Sequence, residues 1–170
     1  WTNSISGLND SPSVVRAVFD DGVETVCPSF FYYPNISEIS VGKACKTLFT
    51  GEKTLTVRYG GTLGEWAEKI NVTSPNLISE LYIGGEKPTE LHLNCANVND
   101  YAFYGLTQIQ SVTFGKNVRK IGKYAFYNCT SLSQIAFGEG VREIGDYAFH
   151  DHAFTGKELI FPDSLERIGN

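Results

Sequence analysis

The chain has no methionine in its 170 residues, and only 4 cysteines, 3 histidines and 2 tryptophans. No apolar run approaches the ~18 residues of a membrane-spanning helix, so direct membrane insertion is not expected. Basic residues are outnumbered, 14 against 19 acidic, for a net charge of −5 and no polybasic run. Nucleic-acid binding needs a basic footprint, which is missing. The cysteines at 27, 45, 95 and 129 are irregularly spaced and form no CxxC zinc signature. No nucleophile elbow, P-loop or HExxH occurs. The Gly60-Gly61 and Gly84-Gly85 pairs are turn glycines rather than a phosphate cradle, and the carboxylates scatter without a paired-acid pattern. These absences point away from an enzyme, and no catalytic residue, metal or cofactor is assigned. A chain that opens on Trp1 without methionine reads as a processed or excised piece, with any signal peptide or anchor outside it.

The sequence does hold a repeat. Ile121-Gly122-Lys123-Tyr124-Ala125-Phe126 recurs as Ile144-Gly145-Asp146-Tyr147-Ala148-Phe149, and at the same interval upstream as Val98-Asn99-Asp100-Tyr101-Ala102-Phe103. Ile168-Gly169-Asn170 opens another copy one position late, as in a piece cut from a longer array. A period of about 23 residues marks a solenoid of stacked supersecondary units. The columns are apolar: Val112, Ile135 and Leu159; Phe114, Phe137 and Phe161; Val118, Val141 and Leu165; Ile121, Ile144 and Ile168. Spacing of two within Val112/Phe114 and Ile135/Phe137 predicts a short strand per unit, stacked in parallel. The Tyr-Ala-Phe step predicts a short helical turn packing inward from the opposite wall.

The first third carries the same unit in decayed form. Residues 1–13 are polar, rich in Ser and Asn, and expected to fray. Ala17 to Val26 matches Ile135 to Ile144 column by column, Ile39/Val41 follow Ala17/Phe19 at nearly the regular interval, and Phe30 and Phe31 fall at the Ala-Phe step. Thr62-Leu63-Gly64-Glu65 is a capping box, opening a helix with Leu63, Trp66 and Ile70 on one face. Leu81/Ile83 and Leu91/Leu93 are joined by Gly84 to Thr89, too short for a parallel crossover, which predicts an antiparallel hairpin. The chain therefore divides into degenerate repeats (1–58), a helix-plus-hairpin insert (59–90) and regular repeats (91–170) within one domain.

The run from Ile121 to Cys129 and on through Leu132 to Phe137, of the form I-G-x-x-A-F-x-x-C-x-x-L-x-x-I-x-F, resembles the BspA-like (Treponema-type) leucine-rich repeat, as does the Pro162 to Ile168 link. Tyr59 to Trp66 and Leu81 to Glu86 resemble an insert found in such proteins. The resemblance implies an α/β leucine-rich repeat solenoid of right hand, no catalytic residues, a secreted or cell-surface location, and binding to host, matrix or cell-surface proteins. His152 departs from the pattern, standing where Cys129 would recur. Cys129 reads chiefly as a buried apolar thiol, with one or two disulfides as the other reading.

His150-Asp151-His152 lacks a third ligand at a recognisable spacing and reads as a solvated loop. The sequons at Asn35, Asn71 and Asn128 read as chance matches. The candidate ligand-binding surface is the solvent face of the sheet, set by the strand period of two: Arg58, Tyr82, His92, Ser111, Thr113, Gln134, Ala136, Glu158 and Ile160. The expected role is a protein-interaction module working in adhesion. The alternatives are a structural spacer and, less favoured, a carbohydrate-binding module or enzyme.

Overall fold

The computed structural model of the chain describes residues 16–26, 35–48, 54–72, 78–156 and 158–170. Phe30, Phe31, Cys27 and the polar residues 1–13 named above lie outside the described residues. Successive turns contribute strands to two walls. One wall holds β1 (Arg16–Val18), β3 (Glu38–Val41), β5 (Leu55–Tyr59) and β7 (Ile78–Ile83), then β8 (Glu90–Leu93), β10 (Ser111–Phe114) and β12 (Gln134–Ala136). The other holds the two-residue strands β2 (Thr25–Val26), β4 (Thr47–Leu48) and β6 (Asn71–Val72), then β9 (Asn97–Val98), β11 (Lys120–Ile121), β13 (Glu143–Ile144) and β14 (Arg167–Ile168). A single helix among the described residues, α1 (Leu63–Lys69), sits between β5 and β6. Every pairing between these strands is parallel, in the order β1-β3-β5-β7 and β12-β10-β8 on the first wall, β2-β4-β6 and β14-β13-β11-β9 on the second. The molecule is a leucine-rich repeat solenoid.

The ladders follow the sequence columns. Val112 pairs with Ile135, Ile121 with Val98 and Ile144, and Ile144 with Ile168. Most inward residues of the strands and Leu106, Ile109, Val118, Leu132 and Val141 are buried in one core, while Ala17, Ile83 and Ile135 are partly buried and Ile168 of the last strand is exposed. Glycine follows the Ile column for a steric reason: a Cβ on Gly145 would lie 2.7 Å from the Lys123 backbone nitrogen of the preceding turn, and one on Gly122 would lie 2.5 Å from that of Asp100. The turns therefore close only around hydrogen. Gly145→Ala is expected to cost about 1–3 kcal/mol as an overpacking change, while Gly22→Ala, with nothing within 4 Å of its Cβ, should stay within about 0.5 kcal/mol. Thermal melts of the two variants check this.

The Tyr-Ala-Phe step corrects the expectation of a helical turn. It is a run of turns in which Tyr101, Tyr124 and Tyr147 take φ of 60°, 55° and 54°. Alternate N–H groups point along the solenoid: Tyr101, Phe103 and Gly105 donate to the carbonyls of Lys123, Ala125 and Tyr127 in the next turn, and Ala102 and Tyr104 donate three positions back. A helix would spend all these donors on itself and leave none to tie one turn to the next.

The predicted antiparallel hairpin is also corrected. β7 pairs in parallel with β5, β8 pairs in parallel with β10, and the two belong to different sheets. What remains of a hairpin is a tight turn at Gly84-Gly85, with φ of 59° and 91°, closed by the antiparallel bridge Ile83–Glu86. Two residues at positive φ match a primed turn, which favours glycine. The short connection did exclude a parallel crossover, but consecutive strands need not pair at all. The other edge of β7 is taken by a side chain: Gln108 Oε1 accepts from Leu81 N–H at 2.9 Å, and its Nε2 donates to the carbonyls of Leu81 and Pro88 at 2.9 and 2.8 Å.

The second wall breaks at the same place, since β6 and β9 end their respective sheets. There Asn99 substitutes for the ladder, its N–H donating to Ala67 O at 2.7 Å and its Nδ2 to Ile70 O at 3.2 Å. Between the walls, fully buried Trp66 of α1 donates its indole N–H to Ala102 O at 2.8 Å. A seam held by three side chains thus joins the two halves of the solenoid. Gln108→Ala is expected to leave the Leu81 amide unpaired at about 1–3 kcal/mol and to lower its hydrogen-exchange protection selectively. Unchanged exchange at Leu81 would show that the seam does not depend on that amide.

The capping box forms as expected. Thr62 Oγ1 accepts from Glu65 N–H, and Glu65 Oε2 accepts from Thr62 N–H at 3.0 Å. The Thr62 N–H, followed by Lys69, holds the Glu65 carboxyl down to about 2. A carboxyl whose folded pKa is depressed contributes fully above its ordinary range, and the contribution fades as pH falls toward 2. Leu63 is half-buried, while Trp66 and Ile70 are wholly buried.

Candidate functional site

The strand residues named from the sequence are divided between two sheets. Arg58 and Tyr82 are Cα partners on the first sheet. On the second, His92, Thr113 and Ala136 form one row, and Glu90, Ser111 and Gln134 another. Glu158 and Ile160 are not in a strand: the extra residue before them disturbs the register, and Ile160 is left 75% exposed. The second sheet's face is small and polar. The first sheet's face is charged and ordered.

There the Glu38 carboxylate takes Arg58 in bidentate fashion, Nε to Oε1 at 2.9 Å and Nη2 to Oε2 at 3.3 Å, and also accepts Arg16 Nε at 2.9 Å. The Arg58 guanidinium lies 4.0 Å above the Tyr82 ring centroid. Tyr82 OH donates to Glu80 Oε2 at 3.3 Å, and Lys87 pairs with Glu80. The bond from Lys87 pulls the Glu80 carboxyl below its usual range, and the bond to Glu38 raises Arg58 further. Arg16, Glu38, Arg58, Tyr82, Glu80 and Lys87 thus make a continuous chain across four strands. The sequence did not show it because Glu38 pairs with Thr56, a shorter step along the chain than the period of the regular repeats.

A second ordered surface is aromatic. Tyr101, Tyr124 and Tyr147 stack in one column at 5.2 Å between centroids at each step. Tyr104, Tyr127 and His150 stack in a second at 5.0 and 5.2 Å. The columns meet edge to face, Tyr124 on Tyr127 at 5.4 Å and Tyr147 on His150 at 5.8 Å. Behind them, Phe103, Phe126 and Phe149 form a buried or half-buried ladder at 5.0 and 5.3 Å. Burial raises the Tyr104 and Tyr127 phenols above their ordinary pKa, so both stay protonated and neutral. The repeat in the sequence aligns Tyr101, Tyr124 and Tyr147 in one column; the signal for the second column is the equal spacing of Tyr104, Tyr127 and His150.

Elsewhere, a polar cleft of about 500 Å³ opens where β6 and β9 fail to pair, bordered by Asn71, Asn97, Asn99, Asp100 and Lys120. An apolar recess of about 250 Å³ lies at the last turn beside Phe149, Phe161 and Ile168. Among the described residues no three His, Cys, Asp or Glu side chains converge as a metal site would need. His150 pairs with Asp151 at 3.0 Å, whereas His152 Nδ1 accepts Phe154 N–H, so the two imidazoles serve different partners. Cys45, Cys95 and Cys129 are free thiols. Cys129 is wholly buried, donates to Phe103 O at 3.1 Å, and is pushed by burial to a pKa of about 12. No described helix is long and apolar enough to cross a membrane.

Parallel stacking at one short strand per wall per turn, with an Ile-Gly step recurring at Ile121, Ile144 and Ile168 and an Ala-Phe step at Ala102, Ala125 and Ala148, defines a leucine-rich repeat protein. Residues 89–170 match the family model described as "BspA type Leucine rich repeat region (6 copies)". The repeats of this segment are BspA-type leucine-rich repeats. Among solved structures, a T. pallidum leucine rich repeat protein is 34% identical over 50% of this chain and 42% of its own, with a TM-score of 0.46. A leucine rich cell surface protein from Faecalibacterium prausnitzii is 15% identical over 91% of this chain and 43% of its own, with a TM-score of 0.49. A leucine-rich repeat protein from Eubacterium ventriosum is 10% identical over 91% and 81%, with a TM-score of 0.28. The chain spans less than half the length of the first two. No curated protein matches it.

Proposed function

We propose that this chain is a non-catalytic protein-interaction module of a bacterial surface or secreted protein, serving adhesion to host, matrix or neighbouring-cell proteins through the strand face of the solenoid. The observation that carries this reading is the Arg58–Tyr82 pair. Both residue types are enriched among the anchors of protein interfaces, and here Arg58 is held in place by Glu38 on one side and the Tyr82 ring on the other. An anchor ordered before binding loses little side-chain entropy on contact. His92, Ser111, Thr113, Gln134 and Ala136 extend the same face as polar surround, with Glu158 and Ile160 at its margin.

The test is an array of extracellular matrix and cell-surface proteins probed with the folded domain in physiological salt. A saturable ligand should bind roughly tenfold or more weakly to the Arg58→Ala, Tyr82→Ala double variant, a loss in the ~1–2 kcal/mol range or above. The triple variant at Thr113, Gln134 and Ile160 should reduce binding less. A blank array with folded protein would favour the spacer role, to which a stiff solenoid is equally suited.

A further inference from the structure

We propose that the aromatic wall formed by Tyr101, Tyr104, Tyr124, Tyr127, Tyr147 and His150 is a binding surface for a linear, neutral glycan lying along the solenoid axis. The wall is distinct from the strand face and stands or falls separately from the reading above.

The first observation is a backbone one. Each regular turn has two residues in the left-handed region, where glycine, asparagine and aspartate are the accommodating choices. In the second position the chain uses them: Gly105, Asn128 and Asp151. In the first it uses tyrosine in every copy, at φ of 60°, 55° and 54°. A bulky ring is kept three times where the backbone disfavours it, and strain of this kind collects at functional sites.

The second observation is the ring geometry. Centroids 5.0–5.2 Å apart with planes within 14° exceed the contact distance of about 3.5 Å between stacked carbons. The rings are therefore displaced sideways by roughly 4 Å, so that the next ring in the stack covers only part of each face. The hydroxyls of Tyr101, Tyr104, Tyr124 and Tyr147 have no hydrogen-bond partner among the described residues, although Tyr101, Tyr104 and Tyr124 are half-buried and Tyr147 is 40% exposed. The wall thus offers, at each step, a partial aromatic face and an unused phenol.

A sugar ring needs both: a C–H face to lie on an aromatic surface, and hydroxyls at its rim to pair with a donor that also accepts. In a linear glycan those requirements recur at every unit, as the two ring columns recur at every turn. The surface of a folded protein that is not built of repeats has no such axial period. The charge at the wall selects among glycans. Lys123 lies 5.1 Å over the Tyr124 ring, but Asp100, Asp146 and Asp151 flank the same columns. Acidic residues outnumber the cation there, which disfavours sulfated or uronic chains. Rings already locked in stacks lose little freedom on binding.

The experiment is calorimetric titration of the full chain with cello-, xylo- and chito-oligosaccharides from disaccharide to hexasaccharide. Affinity for at least one series should rise with length and then level off as the ring columns are filled. Tyr124→Ser with Tyr127→Ser should weaken that binding more than tenfold. Tyr124→Phe, which keeps the ring and the fold while removing the hydroxyl, should weaken it several-fold, with melts confirming the folded state. Arg58→Ala on the other face should leave it unchanged. Absence of binding in all three series, binding without length dependence, or binding that persists in Tyr124→Ser/Tyr127→Ser would overturn the proposal. So would loss on Arg58→Ala, which would move the sugar to the strand face, or a protein ligand that alone depends on the tyrosines.

Discussion

Phe126→Ala is expected to lower the unfolding free energy by about 3–5 kcal/mol, cavity included. The side chain is fully buried and stacks on Phe103 at 5.0 Å and Phe149 at 5.3 Å, with the edge of Phe114 at 5.8 Å. Its neighbours cannot close the space easily. Phe103 N–H is bonded to Ala125 O, and Phe126 N–H to Ala148 O, so each ring's backbone is fixed to the next turn. The adjacent residue supplies the control. Tyr127 is half-buried, stacked between Tyr104 and His150 and met by the edge of Tyr124, and Tyr127→Ala should cost about 1.5–2 kcal/mol, three ring pairs at the low end of their range. Urea melts of both variants decide the matter. Equal losses would mean that the Phe column is not the inner ladder.

Trp66→Ala should be of the same size, about 3–5 kcal/mol, but with a different signature. Trp66 joins the two halves of the solenoid: it lies edge-on to Tyr59 at 5.5 Å in the first half and donates to Ala102 O at 2.8 Å in the second. In a repeat array, stability is a sum of turns and the interfaces between them. Losing the seam interface should uncouple the halves, so that the melt becomes biphasic and the apparent m-value falls. Trp66→Phe keeps most of the apolar contact but removes the indole donor, leaving the Ala102 carbonyl without its partner at about 1–3 kcal/mol. A single sharp transition in Trp66→Ala with an unchanged m-value would show that the seam is not a weak plane.

The Arg58 and Tyr104 sites show why function was less legible than fold. Outward strand residues could be named from the period of two, and Arg58, Tyr82, His92, Thr113 and Gln134 do stand on the strand faces. Their worth could not be ranked, because the Arg58–Glu38 clamp spans a shorter stretch of chain than one regular period. The tyrosine wall was half seen. Tyr101 was placed in its column, yet whether a ring three positions further on packs inward or outward depends on the left-handed turn at Tyr101, which no propensity for tyrosine suggests. Glu158 and Ile160 fell out of register because one inserted residue shifts strand pairing without altering the apolar pattern.

The order of residues alone dictates the solenoid: its period, the Val112/Ile135 and Phe114/Phe137 ladders, the Ile121/Ile144/Ile168 column with its close-packed glycine, and the capped helix carrying Trp66. These are periodic or local features, and stacking similar units buries such columns together, with Phe161 and Ile168 of the last turn left exposed. The seam is different, because it is settled by contacts between distant parts of the chain. Whether β7 folds back on β8, or each joins a different sheet, depends on which group reaches the free strand edge in space. Gln108 and Asn99 do so, and an amide that can donate and accept at once leaves no periodic trace of the ladder it replaces.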